Sequence, residues 1–154
     1  MMRRIVFALA VCVGMSVNLA FAGDVAVTNV WSRATAPGQQ VAGVYFDIAS
    51  KRGARLVGAQ TSLTDRAELH IMSMDDGVMR MRQIDSVDLP AGETVNFKPG
   101  GYHVMLLDLK QSLEPGGKFA LTLLVEDDKQ EVTRYLVSVQ VRNLDGSMPE
   151  HHHH

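Results

Sequence analysis

Two histidines and a cluster of methionines are the side chains in this sequence best equipped for chemistry. Outside the final four residues the histidines are His70 and His103, and each opens a His-x-Met triplet: His70-Ile71-Met72 and His103-Val104-Met105. Met74, Met79 and Met81 lie between the triplets. In an extended strand, residues two apart project from one face, so each triplet points an imidazole and a thioether the same way. Thioethers are soft, neutral donors that select Cu(I) over zinc, calcium or magnesium, and imidazole accepts copper in either oxidation state. Zinc would draw on thiolates, carboxylates or more histidines, and there is no His-Glu-x-x-His segment to supply them. A donor set without charge leaves the ion its own charge, which favours the monovalent metal. The competing account is packing, because methionine fills gaps in cores and an alternating apolar residue often marks nothing but an inward face. For Met74 and Met79, near a hairpin tip, packing or plain surface placement weighs as much as ligation. For the two triplets together with Met81, a metal site is the better reading.

The elements that must position these residues are short strands. Val25–Trp31, Val41–Ile48, Arg55–Ala59, Ala67–Met74, Val78–Ile84, Thr94–Phe97, Tyr102–Leu109, Lys118–Val125 and Glu131–Val141 are rich in β-branched, aromatic or leucine side chains. Turn residues such as Ala36-Pro37-Gly38, Asp76-Gly77, Pro99-Gly100-Gly101 and Pro115-Gly116-Gly117 divide them. Without a long segment of helical period, this pattern predicts a single all-β domain, a two-sheet antiparallel sandwich. Asp76-Gly77 is a favoured two-residue hairpin turn. Closing there, it sets Asp75 opposite Val78, Met74 opposite Met79 and Met72 opposite Met81, gathering His70 and four thioethers on one side of a ribbon. The strand carrying His103 and Met105 would complete the site. Trp31, Tyr45 and Phe46 read as core. Arg80 and Arg82 alternate with Met79 and Met81 and fall on the opposite face, as solvated residues rather than a docking surface for an acidic partner.

The ends of the chain bear on compartment. Arg3 and Arg4 precede an apolar run that closes on Ala20-Phe21-Ala22, the pattern of a cleaved secretory signal over residues 1–22. Cleavage fits better than a retained anchor, since Ser16 and Asn18 interrupt the run. Lipidation at Cys12 fits less well because the bulky Val11 precedes it. Cys12 is the sole cysteine, so the exported protein would lack a disulfide framework, a thiolate metal site and a thiol nucleophile. The formal net charge is −2, and losing Arg3 and Arg4 makes it more negative, which excludes a nucleic-acid partner. No serine, histidine and carboxylate stand in a recognisable hydrolase arrangement, so an enzymatic role is not expected. The folded domain is expected over residues 23–143, with a flexible Met- and His-containing tail over 144–154. His151, His152, His153 and His154 form either an expression tag or a native cluster suited to Cu(II).

Ala67-Glu68-Leu69-His70, Gly77-Val78-Met79-Arg80-Met81-Arg82, Leu89-Pro90-Ala91-Gly92-Glu93 and Lys98-Pro99-Gly100-Gly101-Tyr102-His103-Val104-Met105-Leu106 resemble the periplasmic copper chaperones called PCu(A)C. That family's signature is a histidine, ten residues, a methionine, twenty-one residues, then His-x-Met. His70, Met81, His103 and Met105 match it without a gap, and the likeness runs from about Trp31 through Leu124. The resemblance implies a cupredoxin-like β-sandwich of Greek-key type that binds Cu(I) through those four side chains at an accessible rim, with Met72 as a fifth or alternative donor. It also implies a periplasmic protein that delivers copper toward the dinuclear centre of cytochrome c oxidase subunit II, alongside Sco-type proteins. A copper-sequestering or resistance protein without a dedicated acceptor is the alternative function.

Overall fold

The structure is a computed structural model that describes residues 23–150. The signal sequence read at 1–22, Cys12 within it and the histidines 151–154 lie outside the described residues. Ten strands follow in chain order: β1 Val25–Arg33, β2 Ala42–Ser50, β3 Ala54–Gln60, β4 Arg66–Asp75, β5 Val78–Gln83, β6 Val87–Leu89, β7 Thr94–Phe97, β8 Tyr102–Leu107, β9 Lys118–Glu126 and β10 Val132–Arg142. Nine match the segments expected from sequence. The additional one, β6, is three residues long and abuts Pro90, too short for alternation to register, yet Val87 and Leu89 are both buried. Among the described residues no helix is long and apolar enough to cross a membrane.

Hydrogen bonding links the strands in the order β5-β4-β8-β7-β2-β1-β10-β9-β3-β6, with β8 also paired to β2. The ladder is thus continuous rather than divided into two separate sheets. Its halves join where Trp31–Arg33 of β1 pair in parallel with Gln140–Arg142 of β10, and apart from one rung between β7 and β8 every other strand pair is antiparallel. The ladder folds over on itself because both halves have an apolar face to bury. Val44, Phe46, Ile48, Leu69, Val104 and Leu106 from one half share a core with Leu56, Leu121, Leu123, Val125, Val139 and Val141 from the other. Phe46 stacks on Phe97 with ring centroids 4.4 Å apart. Fully burying side chains of this size contributes about 1.5–3 kcal/mol each.

Strand parity decides which residues turn away from that core. In β2 the buried positions alternate strictly, so Phe46 points inward and Tyr45 outward. In β1 one extra residue enters between Thr28 and Trp31, where the left-handed Asn29 (φ 52°) forms a bulge against β2. The bulge reverses the parity of the strand. Ser32 is fully buried as a result, and Trp31 moves to the outer face. The expected core placement of Trp31 and Tyr45 is therefore corrected, and that of Phe46 stands. At the other end, β10 is followed by a hydrogen-bonded turn in which Asn143 N–H donates to Ser147 O and Gly146 N–H to Asn143 O.

Candidate metal centre

β4 carries the centre of the arrangement. Leu69 faces the core opposite Val104, which sends the even-numbered residues Glu68, His70, Met72 and Met74 to the outer face. The β4–β8 register sets His70 opposite His103 and Glu68 opposite Met105. On the other side of β4, the Asp76-Gly77 turn sets His70 opposite Gln83, Met72 opposite Met81 and Met74 opposite Met79. Both turn residues adopt positive φ, 48° and 78°, as a tight hairpin of matching twist requires. The sequence-derived hairpin register is the observed one.

Each histidine has one ring nitrogen engaged and one free. The Nδ1–H of His103 donates to the carbonyl oxygen of Gly101 at 3.1 Å, and because a carbonyl only accepts, Nε2 is left with its lone pair. The Nε2–H of His70 donates to the Glu68 carboxylate at 2.9 Å, leaving the lone pair on Nδ1. Those two remaining nitrogens, His70 Nδ1 and His103 Nε2, are buried without a hydrogen-bond partner among the described residues. A buried polar atom left unpaired costs about 1–3 kcal/mol, and two of them on directly opposite residues form a pair that a metal ion would satisfy. The ring centroids are 5.7 Å apart. A histidine that ligates through one nitrogen while donating the other to a carboxylate or carbonyl is the usual outer-shell arrangement of metal sites.

Burial favours the neutral, ligating form of His103. Burial pushes the His103 imidazole below its ordinary pKa, with the Gly101 bond opposing and His70 reinforcing the shift. The Glu68 carboxyl is held below the usual range by its bond to His70, with Arg66 adding to it, so an anion sits one bond away from the nitrogens. A donor set of neutral atoms alone is thus an incomplete description: the first contacts are neutral, and Glu68 behind His70 is negative. Sequence alone assigns Glu68 no role. Its signal was the Glu-x-His spacing, which puts carboxylate and imidazole on one face of a strand.

The thioethers lie at graded positions around this pair. With strands about 4.8 Å apart and a rise of about 3.3 Å per residue, diagonal neighbours are about 8 Å apart at Cα, within reach of a methionine side chain. Met105 and Met81 are each diagonal to His70, on β8 and β5. Met105 also follows His103 on its own strand, whereas Met81 is two strands away from His103. Met72 is the same-strand neighbour of His70 and diagonal to His103, so it approaches both histidines. Met74 and Met79 occupy the next rung outward, toward the hairpin tip, and the histidines 151–154 lie outside the described residues. Among the described residues no group of three or more His, Cys, Asp or Glu side chains converges on a metal position; the donors this face offers are imidazole and thioether.

One flank of the pair is walled. Tyr45 lies 6.3 Å from His103 and Trp31 4.8 Å from Tyr45, both between ring centroids, with the Arg142 guanidinium 4.2 Å over the Trp31 ring. Gly43, opposite Met105 on β2, makes room for this wall, since a Cβ there would stand 2.7 Å from the Tyr45 hydroxyl. His103 is only 4% exposed, whereas Met81 on the hairpin side is 44% exposed. The face is open on the hairpin side.

The fold is that of a cupredoxin-like β domain, with two histidines and five methionines gathered on one face. The family model for LpqE-like putative lipoproteins matches residues 25–141, and the chain belongs to that family, which is of the PCuAC type. It is 32% identical over 127 residues to the putative lipoprotein Lxx21020 of Leifsonia xyli subsp. xyli, covering 82% of this chain and 74% of that one. It is 33% identical over 103 residues to the uncharacterized protein RP573 of Rickettsia prowazekii, covering 65% of this chain and 55% of that one. Among solved structures it is similar to the apo PCuAC domain from PmoF1 (25% identity, TM-score 0.64, 79% of this chain and 95% of that one). It is also similar to the Cu(I) form of DR1885 from Deinococcus radiodurans (26% identity, TM-score 0.54, 80% and 83%).

Proposed function

We propose that this protein is an exported, non-enzymatic copper chaperone of the periplasm that carries Cu(I) on His70, Met81, His103 and Met105. The observation that carries the reading is the pair of buried, unpartnered nitrogens on opposite residues of β4 and β8, with methionines on the same face. Supporting it, one similar solved structure is a Cu(I) form and another is a copper-bound PCuAC domain. Met72, beside both histidines, is an additional or exchanging donor. Imidazole and thioether hold Cu(I) less firmly than a thiolate pair, so an acceptor that offers thiolates draws the ion away by ligand exchange. The exposed Met81 side lets an incoming ligand bind before the old ones leave. The acceptor we favour is the dinuclear copper centre of cytochrome c oxidase, directly or through a Sco-type protein. His151–His154 add a Cu(II) capture point, and deletion of residues 148–154 lowers Cu(II) stoichiometry if they do.

X-ray absorption of the Cu(I)-loaded protein tests the centre: mixed nitrogen and sulfur neighbours are expected, and a shell without nitrogen refutes it. Incubation with excess apo-acceptor domain, followed by mass spectrometry, tests delivery. Copper retained by this protein under those conditions refutes chaperone transfer and leaves sequestration.

A further inference from the structure

A Cu(I) centre at His70 and His103 does not account for the methionines beyond it. Met74 and Met79 face each other one rung outward from Met72 and Met81. They are 65% and 49% exposed, next to Val78 at 54%. Packing does not explain them, because neither belongs to the core or to the side chains packed against it, and every residue of β5 is exposed. Apolar area left in water forgoes about 25 cal/mol per Å² relative to burial, and a solvated ribbon is served as well by charged residues. The same ribbon has them at the alternate positions, where Arg80 pairs with Asp75 at 3.4 Å and Arg82 follows. What methionine has and those residues lack is a soft sulfur donor.

The geometry suits a pair of sulfurs around one ion. The two-residue turn locks the register, and Asp75 and Val78 flank it as a hydrogen-bonded pair, so the Met74/Met79 and Met72/Met81 rungs both fall at the narrow positions, with Cα atoms about 4.5 Å apart. At metal–sulfur bonds of about 2.3 Å, two sulfurs across an ion stand about 4.6 Å apart, which directly opposed side chains span without distortion. The rung also lies on the open approach, opposite the flank that Tyr45, Trp31 and Arg142 close.

We propose that Met74 and Met79 form a second soft-metal site, an all-thioether rung that takes up Cu(I) ahead of the His70/His103 centre. The inference rests on reading that centre as a Cu(I) site. Transfer from rung to centre is ligand exchange without redox change: sulfur–copper bonds at Met74 and Met79 break as those at Met72, Met81 and the imidazoles form, and no proton moves at the rung.

The test is titration of the mature protein, labelled with 13C at the methionine methyls, with Ag(I) as a redox-inert monovalent probe. We expect the first equivalent to shift Met81 and Met105, and a second to shift Met74 and Met79 independently of pH. The double variant Met74→Leu/Met79→Leu, nearly isosteric and at exposed positions, should fall from about two bound ions per chain to about one while keeping the first affinity. In His70→Ala/His103→Ala the Met74 and Met79 methyls should still respond. Methyls of Met74 and Met79 that stay unmoved to saturation, or a leucine variant that binds as many ions as the parent, overturn the proposal. Failure of the main centre is seen separately, as a first equivalent that survives loss of both histidines.

Discussion

Replacing Glu68 with alanine removes the acceptor that fixes the His70 ring, and its effect on copper binding can be worked out from the site. The Nε2–H to carboxylate bond is 2.9 Å long and charge-assisted, since the carboxyl is held ionised by that bond and by Arg66. Hydrogen bonds to charged groups contribute about 1.5–3 kcal/mol, and loss of an outer-shell partner of a metal-binding histidine typically lowers affinity about 10–100-fold. The Glu68 side chain keeps 21% of its exposure and that of His70 13%, so solvent screening sets the loss at the lower bound. Cu(I) Kd should rise about ten-fold in Glu68→Ala, about 1.4 kcal/mol. Glu68→Gln keeps an acceptor oxygen without the charge and should lose about three-fold. The assay is anaerobic competition with a chromophoric Cu(I) chelator at neutral pH, with 15N NMR identifying the coordinated nitrogen. Unchanged affinity in Glu68→Ala, with His70 still required, would mean that Nε2 is the donor atom and that the assignment of Nδ1 is wrong.

Met81→Leu should weaken Cu(I) binding while leaving unfolding within about 0.5 kcal/mol of the parent, because the side chain is 44% exposed and the swap conserves volume; equal copper affinity would remove Met81 from the site. His103 has a depressed pKa in the fold relative to the ordinary 6.5, so the unfolded chain binds more protons over that interval. Apo-protein stability should therefore be flat above about pH 6.5 and fall as pH drops through the lower folded value; urea unfolding at a series of pH values that showed stability rising on acidification would contradict this. Gly77, at φ 78°, has a backbone that costs a β-branched residue about 1–2 kcal/mol, so Gly77→Val should loosen the hairpin register, seen as faster amide exchange in β5 and weaker Cu(I) binding. Protection equal to the parent's would show that the turn does not set the register.

Local signals were enough for much of this protein. Alternation and turn residues marked nine of the ten strands, and Asp76-Gly77 fixed the pairing of β4 with β5 residue by residue, because a two-residue turn leaves one register and the side-chain period of two does the rest. The types and spacing of His70, Met72, Met81, His103 and Met105 are what suggest the soft-metal donor set proposed above. What chain order does not contain is which strands become neighbours. That His70 meets His103 directly depends on β8 pairing with β4 across an interval in which β5, β6 and β7 intervene, a non-local contact selected by the shared core. Parity after a bulge is decided in the same way: Asn29 reverses β1 and puts Trp31 beside Tyr45 on the outer face instead of in the core. Which nitrogen of each imidazole is free was likewise settled by tertiary structure, where burial removes water as a partner and Glu68 and Gly101 each claim one ring nitrogen.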